Sequence, residues 1–195
     1  MAQWHDTPFA VATGLGLAAS AYMFLGNLGM DRCGVIRATT SEQLREELDL
    51  NADRSVALFG FMYEKGAQQF VSSTAISAVS WLYASYVSTK SSRFASVEHQ
   101  NLVTRLLFSA SLFSFSFVPF TVVVMLPNIK PLLSMRSRVQ ARNLKASSTN
   151  NTPTLQGEEA DQALRGIELW KKHNYMRMCI SFSSFILGTL AVTLA

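Results

Sequence analysis

Seven polar or charged side chains stand inside otherwise apolar stretches of this chain. They are Asn27, Glu64, Lys65, Thr121, Asn128, Asn174 and Arg177. Ionisable and amide groups are costly inside a bilayer, so each is a candidate for chemistry. A carboxylate, a guanidinium and several amides together could move a proton and hold a developing negative charge. Trp170, Asn174 and Arg177 follow an i, i+4, i+7 order, which puts them on one stripe of a helix. Tyr63 and Gly66 stand three apart, with Phe59 one turn earlier. That glycine allows a neighbouring helix or a flat ligand to come close. A blander reading stands beside this one. Glu64 and Arg177 would then be a structural ion pair or snorkel to the interface, as Lys65 is expected to do. Tyr63 and Trp170 would be interfacial anchors.

The elements that must position these residues are membrane spans. Of 195 residues, 49% are apolar and 15% charged, against about 25% charged in a typical soluble domain. Long stretches carry no charge, which is the membrane signature. The reading is a single all-α domain over residues 1–195, a four-helix transmembrane bundle. Its spans run over about 8–28, 56–87, 102–126 and 175–195. The first is too long for a signal-peptide core and has no Lys or Arg before Arg32. Thr40-Ser41-Glu42-Gln43-Leu44 reads as the capped start of a short surface helix. Pro119 is expected to kink the third span. A long polar loop over 127–168 separates spans three and four. A mobile segment is expected at about 143–157, with a helix restarting near Glu158.

The net charge is +4, but Lys and Arg gather in the loops after spans one and three, which explains them by orientation in a bilayer and not by nucleic acid. The positive-inside rule then puts both termini in the lumen of the endoplasmic reticulum or a related endomembrane. The sequon Asn150-Asn151-Thr152 falls on the cytosolic side, unused. Under that topology the seven polar residues all lie toward the cytosolic ends of their helices. Cys33 and Cys179 make neither a disulfide framework nor a zinc pattern. His5 and His99 fall on the side opposite His173, so no three-histidine metal site forms. His173 alone lies near the polar group and is a candidate for proton transfer. Phosphate loop, nucleophile elbow, haem attachment motif and dinucleotide fingerprint are all missing from the sequence.

Three patches give the chain a likeness to a known family. They are Phe61-Met62-Tyr63-Glu64-Lys65-Gly66, the stretch Pro119-Phe120-Thr121 to Met125-Leu126-Pro127, and Trp170 to His173-Asn174 and Arg177. With the length, the four spans and the long third loop, they resemble the anthrone oxygenases, small four-helix membrane proteins of fungal aromatic polyketide pathways. One position departs: where the family tends to carry Asn two residues after the second proline, this chain has Ile129, with Asn128 one place early. The resemblance implies oxidation of a polyketide anthrone, such as emodin anthrone, to the anthraquinone. Dioxygen would be the co-substrate, with no metal and no other cofactor. It implies a general base, either Glu64 made more basic by burial or His173. Arg177, Asn174 and Thr121 would serve the oxyanion. Tyr63, Thr121, Met125, Trp170 and Asn27 would line the substrate site. The implied partners are the hydrophobic aromatic substrate, the lipid bilayer and other pathway enzymes. A non-catalytic scaffold would depend on the loop 127–168, and a product transporter would need polar residues through both leaflets.

Overall fold

The structure is a computed structural model that describes residues 7–91, 94, 96–145 and 155–195. Among the described residues every regular element is helical. In chain order these are α1 Thr7–Arg32, α2 Val35–Thr40, α3 Glu42–Glu47, α4 Ala52–Lys90 and α5 Val97–Phe120. A π-helical turn, Thr121–Met125, leads into α6 Leu126–Lys145, and α7 covers Glu158–Leu194. Three runs are long and apolar enough to cross a membrane: Thr7–Thr40, Val97–Arg142 and Glu158–Leu194. The 39-residue α4 has the length but falls short in apolarity.

The chain divides into two compact units. One holds the chain up to Gly26, Gln69–Pro119 and Arg177–Ala195. Its core centres on Trp81, which has no exposed surface. Gly16 and Gly188 make room for that indole. A Cβ on Gly16 would come within 2.8 Å of it, and one on Gly188 within 2.2 Å. Buried serines cross-link the helices: Ser114 lies 2.9 Å from Ser77 and 2.7 Å from Ser184, while Ser111 donates to Ala78 O at 2.8 Å. Small hydroxylic residues let helices approach closely and satisfy one another in an apolar medium. Ser77, with the buried Ser80, Ser85 and Ser88, lowers the hydropathy of α4.

The other unit holds Asn27–Gln68 and Phe120–Met176. Its core comes from apolar stripes at helical spacing: Met125, Ile129, Leu132, Met135 and Val139 face Ala163, Ile167, Trp170, Val56, Phe59 and Met62. The local starts have ordinary causes. Ser41 Oγ accepts from Leu44 N at the head of α3, and Asn51 Oδ1 accepts from Arg54 N at 2.9 Å at the head of α4. Asp53 Oδ1 accepts from Leu155 N at 2.8 Å just before α7.

Several expectations from the sequence need correction. The first helix continues past Leu28 to Arg32, and a further short helix, α2, follows. The stretch from 127 is not a loop: the helix runs on to Lys145, and α7 resumes at Glu158. Pro127 directly follows the π turn, and Pro131 lies inside α6. Pro119 is followed by the π turn, in which Leu126 N donates to Thr121 O, five residues back. Residues 146–154, with the sequon Asn150-Asn151-Thr152 and most of the segment expected to be mobile, lie outside the described residues, as does His5.

Candidate active site

Most of the sequence-selected residues fall in the unit built from Asn27–Gln68 and Phe120–Met176. There α4 and α7 bring three aromatic rings together. Phe59 meets Trp170 edge-on, centroids 5.1 Å apart at 81°, and lies near-parallel to Tyr63 at 6.3 Å and 15°. Met125 and Met62 belong to the same cluster, and Met30 packs against it. Aromatic rings and thioethers in such an arrangement suit a flat aromatic guest.

Polar atoms with no protein partner stand at this cluster. Trp170 is 2% exposed, and its Nε1 has no hydrogen-bond partner. One turn along α7, Asn174 is 1% exposed, and neither Nδ2 nor Oδ1 has one. Leaving a buried donor or acceptor unsatisfied costs about 1–3 kcal/mol, so native structures rarely tolerate it without a reason. Two donors and an acceptor on one stripe of α7 are equipped to bind a carbonyl or phenolic oxygen.

His173, beside Asn174, is half-buried. Its Nδ1 lies 3.5 Å from Asn128 Nδ2, which also donates to Val124 O at 3.2 Å. Asn128, one place off the family position, thus stands against α7. With the amide as donor, Nδ1 accepts, and Nε2 carries the proton of the neutral ring. Thr121 is half-buried and opens the π turn, Met125 closes it fully buried, and Asn27 is fully buried on α1. π turns recur at functional sites.

Glu64 is not the buried acid expected from the sequence. Its side chain is 58% exposed and pairs with Arg136 at 2.6 Å. Gly60 accommodates that arginine: a Cβ there would fall 2.1 Å from Arg136 Cδ. Arg177, the other half of the expected ion pair, lies in the other unit. There its guanidinium sits 4.8 Å from the ring centre of Phe117 and 5.5 Å from that of Phe70, a cation held by two π faces and 6% exposed.

Sequence reading missed Asp31. It is 7% exposed, and its Oδ2 accepts from the Tyr175 hydroxyl at 3.1 Å. The signal was present, since Asp31 follows Asn27 at i+4. Ending the first span at Leu28 hid it. Lys171 binds Thr40 Oγ1 at 3.2 Å on the same side of α7. The first unit also carries a groove of about 490 Å³ between α1 and α4, lined by residues such as Val11, Leu15, Val79 and Tyr83 and by none of the residues above. Among the described residues no three His, Cys, Asp or Glu side chains come together as a metal site.

A family model described as anthrone oxygenase matches residues 59–187. No curated protein and no solved structure matches the chain.

Proposed function

The chain belongs to the anthrone oxygenase family, and from that premise we propose that it oxidises a polyketide anthrone, emodin anthrone being the type, to the anthraquinone with dioxygen. The balance is one anthrone and one O2 to one quinone and one water. The acidic methylene loses a proton, and its electron pair spreads into the ring ketone as an anthrolate. Dioxygen takes up those electrons at carbon and forms a peroxide. Protonation of the peroxide, removal of the second methylene proton and departure of water leave the new carbonyl.

One observation carries this reading: the orphaned Trp170 Nε1 and Asn174 amide beside the Phe59–Tyr63–Trp170 rings. The rings, with Met125, suit the flat tricycle. The Trp170 N–H and Asn174 Nδ2–H supply donors to the ketone oxygen, where charge develops in the anthrolate. A donor preset in a water-poor site lowers the barrier because it need not reorganise. Of the two bases considered, His173 fits better than Glu64. It adjoins Asn174 and is only half-exposed, whereas Glu64 is exposed and held by Arg136. Two protons leave one carbon in the reaction, so a single nitrogen base covers part of the demand. Thr121 and Asn27 are proposed to border the substrate; Arg177, in the other unit, enters no step of this scheme.

The proposed setting is a fungal endomembrane, with α4 as a fourth span, both termini lumenal, and neighbouring enzymes of an aromatic polyketide pathway as partners. The test is oxygen uptake and quinone formation by the purified protein with emodin anthrone, measured against the spontaneous rate. We expect acceleration that Trp170→Ala and Asn174→Ala each reduce at least about 100-fold. No acceleration by the unaltered protein removes the assignment. Acceleration that both variants retain moves the site elsewhere.

A further inference from the structure

In the unit Asn27–Gln68 and Phe120–Met176, four cationic side chains make no hydrogen bond or ion pair among the described residues: Arg32, Lys65, Lys130 and Lys172. All four are exposed. The other lysines and arginines of this unit whose side chains are described are engaged. Arg54, Arg136, Arg138 and Arg165 pair with acids. Arg37, Arg45 and Lys171 donate to protein oxygens, and Arg142 has a partner as well. Glu64, next to Lys65, gives its charge to Arg136. The four cations left over share a position in the chain. Each stands one to two turns from an exposed apolar residue: Arg32 seven residues after Leu25, Lys65 six before Val71, Lys130 seven after Val123, and Lys172 four before Met176. At 1.5 Å per residue these separations are about 6–10 Å. The apolar residue always lies in or toward a helical stretch of about 20 residues, the length that crosses hydrocarbon: 7–26, 69–90, 97–119 and 177–194. A phospholipid has the same order, acyl chain and then phosphate, and one headgroup layer is about 5–8 Å deep.

We propose that Arg32, Lys65, Lys130 and Lys172 are a binding fringe for anionic phospholipid headgroups in the leaflet at this end of the spans. Each long side chain lays its methylenes along the apolar surface and carries its charge out to a phosphate. The four act one by one, each on its own lipid, and need no common pocket. Phosphatidylcholine offers a phosphate beside a choline cation, whereas phosphatidylserine keeps a net negative charge, so the fringe selects the anionic lipid. The exposed apolar neighbours Leu25, Val71, Val123 and Met176 make lipid the partner. They have nothing to offer a soluble phosphate, but they suit the acyl chain below a headgroup. Orientation in the bilayer calls only for an excess of positive charge on one side. Keeping these four side chains unpaired while the rest of the unit's cations are engaged goes further than that. The inference is independent of the oxidation put forward above.

The test places the full-length protein in phosphatidylcholine vesicles with spin-labelled phosphatidylserine or spin-labelled phosphatidylcholine as the probe. Electron spin resonance reads the share of label held at the protein. Phosphatidylserine is expected to be held about fivefold more tightly, the factor that one cation near a headgroup supplies. Arg32→Gln, Lys65→Gln, Lys130→Gln and Lys172→Gln combined should bring the ratio to within about 1.5-fold of unity. Arg54→Gln, Arg138→Gln, Arg142→Gln and Arg165→Gln combined remove as much exposed charge from engaged positions, and should leave a ratio above about threefold. Equal affinity for the two lipids in the unaltered protein overturns the proposal. So does an equal loss in the two combined variants, which would trace the preference to net charge alone. If the first combination is not monodisperse, the double variants Arg32→Gln/Lys65→Gln and Lys130→Gln/Lys172→Gln decide: each should lose part of the preference, and full preference in both overturns the fringe. Inorganic phosphate in place of chloride at equal ionic strength should leave the preference intact. Its disappearance would assign the cations to free phosphate and overturn the lipid assignment.

Discussion

Replacing Asn174 by leucine should make the protein more stable and less active. Leucine keeps the branch at Cγ and takes away both unsatisfied atoms, Nδ2 and Oδ1. At the low end of about 1 kcal/mol for each unpaired group, removing the two gives about 2 kcal/mol of stabilisation. The larger methyls give some back, about 1 kcal/mol for mild overpacking in a residue only 1% exposed. The net is a gain of about 1 kcal/mol, which at this chain length raises Tm by about 2–4 °C. Turnover should fall about 100- to 1,000-fold, the usual result of losing an oxyanion donor. The assay pairs a thermal melt in detergent with oxygen uptake on emodin anthrone. A Tm lowered by 4 °C or more would mean that the amide has a partner in the resting protein, and the reasoning fails at its first step. A higher Tm with full turnover would mean that the amide is strained but idle.

Gly188→Ala should cost about 1–3 kcal/mol and broaden the size-exclusion profile, because its Cβ would meet the Trp81 ring at 2.2 Å. Gly14→Ala, with nothing within 4 Å of its Cβ, should be neutral or raise Tm slightly, since alanine suits a helix interior better. Arg177→Lys keeps the charge but loses the planar group that faces Phe117 and Phe70, and should lower stability by about 0.5–2 kcal/mol in the same melt. Glu64→Gln should lower stability by about 1–3 kcal/mol in the same melt, because the Arg136 side chain, 11% exposed, would lose its carboxylate.

Hydropathy made the helical class and three membrane-length runs legible, because uncharged stretches have no other economical fate. The cap at Ser41 and the restart at Glu158 were legible for the same kind of local reason. α6 was not. Its charge and its prolines suggest a loop, and only the stripe of Met125, Ile129, Leu132, Met135 and Val139 shows that one face is a core face. The Trp170–Asn174 stripe on α7 could be read from spacing, but that both side chains lack partners depends on what the other helices place around them. Glu64 shows the reverse. A carboxylate read as buried was claimed by Arg136, 72 residues away in sequence, a pairing that no local pattern encodes. Asp31 was lost to a boundary. Where a span ends is the least certain feature of a hydropathy profile, and an acid at that end reads as loop until the helix is seen to continue.

One helix, α4, shows why composition divides as it does. From Gln69 onward it gives Ser77 to the hydroxyl network and Trp81 to the glycine-walled core, and it has no ionic contact there among the bonds described. Before Gln69 it gives Phe59 and Tyr63 to the ring cluster and Glu64 to Arg136. The part from Gln69 onward packs by small residues, beside the groove that Val79 and Tyr83 help to line. The part before Gln69 packs by rings and flexible thioethers, which can part and close again around a flat molecule. Trp81 Nε1 in the other half is unsatisfied as well, so the indole N–H alone marks nothing; Asn174 is the sharper sign, because both its amide atoms lack partners where an apolar residue would fit at lower cost. That cost is better explained by a ligand oxygen than by packing.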